Sequence, residues 1–472
     1  MRARGHLVAL RSGRDARRIT LLLVLGAIGV AAVTAVLLRV IDPSIGAALA
    51  LPAIAAGAVA VFLVPVHWIP TITLGVLALF PTRLIPNDGP FNALPPLAIL
   101  LGIWVLRRVV LGQRPPGDVG DPPETARMGP RFAVYATAGL LAIWLVVSVV
   151  TTGGTETSLG WTMSFLAGAL LPILVFDARA EARLLSTAFL VLGALVGAYT
   201  VLEMLLGGSP IYGSISAALG VTQEFGFSVY RARAAFTHPL FAAAFLCIPA
   251  AMGIGRWLTS GKRWALVCGL LSTAGVVATV SRGSIVAIGV MVGFALLVSP
   301  VFIGWQNISR WLQLLAMTVI GGIAVLNFGP LMERAESIES QLSAGVRERA
   351  VTVALDAAAY SGWLGTGPGT SGETGRLFDT IIIENSMLQL LVSIGLPGLL
   401  LFVLLLGSLV WSAWSHNDLG VILALVAYSV AISGFNSLDG VRNMHIIIGF
   451  LVILSLHAGT SAPASVLSPA TA

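Results

Sequence analysis

Residues 384–411 read ENSMLQLLVSIGLPGLLLFVLLLGSLVW. After Glu384 the stretch has no acidic or basic side chain. About 20 consecutive apolar residues suffice for a helix to cross the hydrocarbon core of a bilayer, so this run reads as a membrane span. Working outward, further apolar runs lie at 19–42, 45–64, 67–82, 93–112, 132–151, 159–176, 184–206, 236–255, 264–280, 284–303, 311–328, 419–435 and 443–460. The third is short and sits between Pro70 and Pro81. A chain with this many runs is an all-α polytopic membrane protein of about 12–14 transmembrane helices. In lipid a helix satisfies its own backbone, and these continuous apolar runs lack the alternation of a barrel strand.

Composition agrees. Of the 472 residues 57% are hydrophobic and only 10% charged, and the mean hydropathy is +0.94. A soluble fold of this size lacks the polar groups to cover such a surface. Soluble enzymes, disordered chains, coiled coils and disulfide scaffolds are excluded. Cys247 and Cys268 both lie in apolar runs and read as small core residues. The chain reads as one polytopic membrane domain, 1–472, and the Ala/Ser/Pro/Thr tail after about 459 as disordered.

The net charge is +6, with 27 basic residues, all arginine except Lys262. Arg2, Arg4, Arg11, Arg14, Arg17 and Arg18 precede the first run; Arg107, Arg108, Arg114, Arg127 and Arg131 frame the 113–131 loop. These clusters read as positive-inside topology signals, not as a nucleic-acid surface. They place the N-terminus in the cytoplasm, with the first run as a retained anchor. Alternation then puts the 207–235 loop, the Ser281-Arg282-Gly283 turn and the long 329–383 loop on the outer side.

Charges at helix ends on one membrane face are candidates for a site. On the outer side these are Arg231 and Arg233, Arg282, Arg347 and Arg349, and Glu384 with Asn385. Each has a plainer alternative. Arg231 and Arg233 could anchor a helix at the headgroups. Arg347 and Arg349 flank Glu348 and could form a solvated helix face. Glu384 could act as a helix-start carboxylate. Arg282, alone in a short break between apolar runs, calls for a partner or water. Glu203 lies near the outer end of its run, where it could snorkel, pair with an outer arginine or line a pathway. His238 precedes Pro239 and reads as structural. No metal-ligand spacing is present, and Gly365-Thr-Gly-Pro-Gly369 lacks the Lys-Ser/Thr of a phosphate-binding loop. Outward-facing arginines suit a phosphorylated lipid, since the planar fork matches phosphate oxygens and does not titrate. A carboxylate beside them can serve as a base.

Four segments together resemble the O-antigen ligase and polymerase family. They are Arg231-Ala-Arg-Ala-Ala-Phe-Thr-His-Pro239, Thr279-Val-Ser-Arg-Gly283, Val346-Arg347 followed by Trp363-Leu-Gly-Thr-Gly-Pro-Gly369, and Glu384-Asn-Ser-Met-Leu-Gln389 continued by Ser393-Ile-Gly-Leu-Pro-Gly398. The resemblance implies a metal-independent, cofactor-free glycosyltransferase of the multi-helix GT-C type in the bacterial plasma membrane, with its active site on the outer face. Its donor would be a glycan on an undecaprenyl-pyrophosphate carrier, and its acceptor a glycan, a lipid or a protein. By matching position Arg231 and Arg282 would hold the pyrophosphate, and Arg347 would support the donor or the active-site loop. Arg233 is an extra arginine beside them, and His238, Asn385 and Arg349 would support the site.

Three departures bear on this. Glu384 stands where the ligases carry histidine, and a carboxylate is the weaker base at neutral pH. Ser393 replaces a glutamate, and Leu240 replaces the asparagine after His-Pro. The first two favour a polymerase or another polysaccharide transferase over transfer to lipid A. A transporter or flippase for a lipid-linked or anionic solute is the alternative class, but the halves show no pairing and the 329–383 loop is long for a carrier. A non-catalytic scaffold is a third reading.

Overall fold

The computed structural model describes residues 63–82, 85, 90–113, 128–218, 229–236, 238–304 and 307–457. The run 19–42, nearly all of 45–64, the arginines at 2–18, Arg114, Arg127 and the tail after 459 lie outside the described residues. The described chain is helical and contains no strand.

In chain order the helices are α1 (Ile69–Leu79), α2 (Pro96–Val109), α3 (Met128–Thr151), α4 (Glu156–Phe165), α5 (Arg179–Leu206), α6 (Tyr212–Ala218), α7 (Pro239–Ser260) and α8 (Arg263–Ala278). They continue with α9 (Arg282–Ile303), α10 (Ile308–Leu326), α11 (Gly329–Glu336), α12 (Ile338–Tyr360), α13 (Ser371–Phe378), α14 (Ser386–Ser415), α15 (Leu419–Ile432) and α16 (His445–His457). Seven described helices are long and apolar enough to cross a membrane, and four shorter apolar helices accompany them. The protein is a polytopic membrane protein.

The middle of the bundle is α7, 83% of whose span is buried. Close backbone approach puts it there. A Cβ on Gly253 would meet the Gly269 backbone of α8 at 2.7 Å, and one on Gly255 the Gly420 backbone of α15 at 2.6 Å. Packing at small residues is how helices associate where solvent provides no hydrophobic drive. At the other extreme, α10 buries only Leu314. Its Val319, Ile320, Ile323 and Leu326 are exposed, as suits a helix solvated by acyl chains.

Most of the basic loops of the sequence gather at the end of the bundle where α7 finishes. Arg108 pairs with the buried Glu181 at 3.1 Å, and the Trp104 indole donates to the same carboxylate at 3.2 Å. Arg107 donates to the Val64 carbonyl at 2.8 Å, and Arg256 to Ser186 Oγ at 2.6 Å. These arginines lock helix ends.

Two expectations change. The 329–383 segment is mostly helical, since α11, α12 and α13 lie within it, and α12 carries Arg347 and Arg349. The run at 159–176 is not one regular helix: α4 passes into a π turn at Leu166–Leu170 and a 3-10 turn at Leu171–Leu174. Pro172 lies in that last turn, where a ring without an N–H ends α-helical bonding.

Candidate active site

Several of the candidate residues lie at the end of the bundle where α7 and α9 begin. Its centre is the turn Thr279-Val-Ser-Arg282. Three arginines from separate parts of the chain meet there. Arg231 Nε donates to the Thr279 carbonyl at 3.2 Å. Arg334, from α11, donates to the Val280 carbonyl. Arg282 is the first residue of α9, behind the cap Ser281, whose Oγ accepts from Ser284 N. Val280 has φ of 51°, a left-handed conformation that is a marked outlier for a β-branched residue. Such strain persists only where the surroundings impose it.

Arg282 is half-buried. No described residue makes a hydrogen bond or ion pair with its guanidinium. A cation at a helix N-terminus opposes the helix dipole, by roughly 0.3–1 kcal/mol for an exposed charge. Helix stability therefore does not explain Arg282; an anion brought to this point would be favoured by both the arginine and the helix end.

The segment bearing Arg231 is held from below by Glu203. That carboxylate is fully buried, and its Oε2 accepts from Arg233 N at 2.8 Å and Ala234 N at 2.9 Å. Ala232 N donates to the Ala278 carbonyl at 3.3 Å, which lays the segment against the end of α8. Glu203 thus takes the fourth course, a brace for backbone amides. Arg233 lines a small cleft with Pro81, Ser209, Tyr212, Ser216 and Phe236.

His238 caps α7. Its Nδ1 accepts from Leu240 N at 3.2 Å, so the ring proton of the neutral form sits on Nε2. Burial, with Arg231, Arg334 and Arg233 nearby, lowers its pKa to about 4. It is neutral at pH 7. The unfolded chain takes up this proton near pH 6.5 and the folded chain near 4, so stability falls as pH drops through that window. In His238→Asn, which can still cap, thermal melts from pH 6.5 to 4 are expected to show a shallower decline.

The glycine-rich Trp363–Gly369 segment is a backbone clasp, not a phosphate loop. It crosses α14 where that helix is broken at Gly395, whose φ is 71°. Thr366 N and Gly367 N donate to the Val392 and Ser393 carbonyls, each at 2.9 Å, and Leu396 N donates to the Trp363 carbonyl at 2.9 Å. A Cβ on Gly395 would stand 2.4 Å from the Leu364 backbone. Gly395→Ala is expected to destabilise the protein by about 1–3 kcal/mol, read as a lower melting temperature and faster proteolysis within 361–383.

The clasp brings α12 against the start of α14. Ala354 and Ala357 pack on Ile383 and Val392, and Arg347 Nε comes 3.9 Å from Glu384 Oε2. Both partners are about two-fifths exposed, and pairs of that kind contribute under about 1 kcal/mol. The pair contributes little to the fold. Asn385 is the N-cap of α14, its Oδ1 accepting from Met387 N and Leu388 N. Arg349 turns to Asp379 at 4.0 Å.

One element escaped the sequence reading, the 433–441 connection between α15 and α16. It borders both groups. Gly434 lies against Gly283, beside Arg282, while the Phe435 carbonyl and Ser437 bond Ser386, two residues after Glu384. Farther on, Asp439 Oδ2 accepts from Ser371 and from Ser393 Oγ, the latter at 3.3 Å. Burial pushes the Asp439 carboxyl above its ordinary range, against the pull of Ser371, Ser393, Trp161 and Arg442. Ser393, where a glutamate was expected, is thus part of a carboxylate cluster whose acid comes from another helix connection. Its signal in the sequence was Asp439 beside Arg442 between two apolar runs. Arg334 was equally legible as a charge but lacked any motif.

Arg231 and Arg282, grouped in the sequence, thus share one turn, while the contact of Arg347 with Glu384 comes from the tertiary structure alone. Residues 264–403 match a family model described as O-antigen ligase. That stretch of the chain is similar to the O-antigen ligase family. The matched region runs from α8 into α14 and carries Arg282, Arg334, Arg347 and Glu384; Arg231, His238 and Asp439 lie outside it. No curated protein matches the chain.

Proposed function

We propose that this O-antigen ligase-like protein is a metal-independent glycosyltransferase of surface-polysaccharide assembly in the bacterial inner membrane. Its N-terminus is cytoplasmic, its donor a glycan on undecaprenyl pyrophosphate, and its site faces outward, with 329–383 as an extracytoplasmic segment of a single membrane unit. The observation that carries the reading is Arg282, a half-buried guanidinium at a helix N-terminus beside Arg231, with no described protein partner.

In the reaction the acceptor hydroxyl attacks the anomeric carbon of the donor sugar. A new C–O bond forms, the bond to the pyrophosphate oxygen breaks, and its electron pair leaves with the pyrophosphate. Arg231 and Arg282 stabilise the charge that develops on that leaving group. Glu384 takes the acceptor proton, and Arg347 orients it. Arg233 extends the donor site towards the Tyr212 cleft, while His238, Asn385 and Arg349 hold the surrounding backbone and loop. The Glu384 and Ser393 positions favour a polymerase or a transferase to another acceptor over ligation to lipid A.

Glycan analysis of a deletion strain tests this. Loss of long chains with accumulated single repeats supports a polymerase. Long chains retained on the carrier support a ligase. Unchanged glycans defeat the reading.

A further inference from the structure

The turn that ends α12 leaves large apolar side chains uncovered. Tyr360, Trp363 and Leu364 are all exposed there, Tyr360 to 82%. The Phe378 ring, at the end of α13, meets the Tyr360 ring edge-on at 5.8 Å and is exposed as well. Trp363 keeps its place against its own backbone preference. Its φ is 64°, a left-handed conformation that suits glycine and disfavours a bulky side chain. No described residue accepts a hydrogen bond from its indole N–H.

The position of this group on α14 points to what covers it. The Trp363 carbonyl accepts from Leu396 N at 2.9 Å. Residues 386–395 of α14 are all buried or half-buried, and Leu396 is the first exposed residue of that helix. Leu400, Val403 and Leu404 continue the exposed face, along a helix long and apolar enough to cross a membrane. The Trp144 indole of α3 donates to the Ile394 carbonyl at 2.8 Å, and Ile143, Val146 and Val147 of α3 are exposed beside it. The aromatic group therefore starts where the acyl-solvated surface of the bundle starts. A contiguous exposed apolar patch of this kind marks an interaction surface. Tryptophan and tyrosine, with an apolar body and a polar tip, favour the headgroup level of a bilayer.

We infer that Tyr360, Trp363, Leu364 and Phe378 dock the 329–383 segment onto the bilayer surface, seated at the boundary of headgroups and acyl chains beside Leu396. The partner is the lipid itself. The indole N–H meets lipid ester and phosphate oxygens, and the rings bury the surface that the fold leaves open. The start of α14 at Ser386, with Glu384 just before it, then stands about 12 Å farther out along the helix than Ile394. The docking does not depend on the reaction proposed above.

The test uses the full chain in phosphatidylcholine bilayers. A nitroxide is placed at Leu364→Cys in a Cys268→Ser background, since Cys247 is buried. Leu400→Cys on the lipid-facing side of α14 and Glu348→Cys on α12 serve as references. Molecular oxygen concentrates in acyl chains, whereas a nickel chelate stays in water. The label at 364 is expected to collide with oxygen in preference to nickel, as at 400 and opposite to 348. Collision with nickel as frequent as at 348 overturns the inference, because the patch then faces water. Shielding from both reagents also overturns it, because a second copy or another protein then covers the patch. A measurement without new cysteines decides the case if the labelled variant does not fold. Tryptophan emission of the wild type is expected to be quenched by phosphatidylcholine brominated on its acyl chains more strongly than that of Trp363→Phe, which keeps an aromatic ring. Equal quenching in the two proteins overturns the inference.

Discussion

Arg282→Ala is expected to reduce glycan transfer by about 100- to 1,000-fold, the loss typical of removing one preorganised donor from a developing oxyanion. The physical case is that the folded protein gains nothing evident from this side chain. It stands at the positive end of α9, where the dipole disfavours it, and no described residue pairs with it. Removing it should therefore leave the amount of folded protein in the membrane unchanged or slightly raised. Arg282→Lys separates charge from geometry. An ammonium offers a compact point charge without the planar fork, so a smaller loss of about tenfold is expected, mainly in donor KM. Assays with purified lipid-linked donor in proteoliposomes check both variants. Unchanged donor use in both would leave the arginine as a topology signal only.

Glu384→Gln is expected to abolish transfer, with a loss of about 100- to 10,000-fold in kcat, while donor binding stays near the wild-type level. Glutamine keeps the size and the oxygen but takes no proton. The substitution also removes the ion pair with Arg347. At this exposure that pair is worth under about 1 kcal/mol, so a large kinetic effect cannot come from lost stability. Arg347→Gln serves as the control, since it breaks the same pair and leaves the carboxylate; a loss much smaller than that of Glu384→Gln assigns the effect to the base. Wild-type turnover in Glu384→Gln would sink the base role and leave the carboxylate as a surface partner of Arg347.

The helices were legible because their cause is local. A run such as 386–415 needs only its own apolar length to be a span, and His238-Pro239 and Asn385 carry their cap chemistry in their own side chains. The grouping of Arg231 with Arg282 was expected through an ordered set of motifs and not from spacing, and the Arg347–Glu384 contact was not expected at all. The interior of 329–383 was not legible as helix against loop, because α12 has a polar and mixed surface with no clean periodicity. The glycine-rich 363–369 segment was read by what it lacked, a phosphate-loop lysine. Its use is close backbone contact with a helix break more than twenty residues away in sequence, and nothing within the segment specifies that partner.

By itself, then, the sequence determined the solvent this protein folds in, its all-helical class and the side-chain types available at the helix ends. Each follows from transfer of local segments between water and lipid. Only the tertiary structure decided which charges meet. Arg334 joins the Thr279–Arg282 turn, Glu203 braces the segment bearing Arg231, and Asp439 gathers Ser371 and Ser393. Those contacts join residues far apart in the chain, and they exist because glycine-notched helices bring the ends of separate spans together. No residue's own neighbourhood in sequence carries that information.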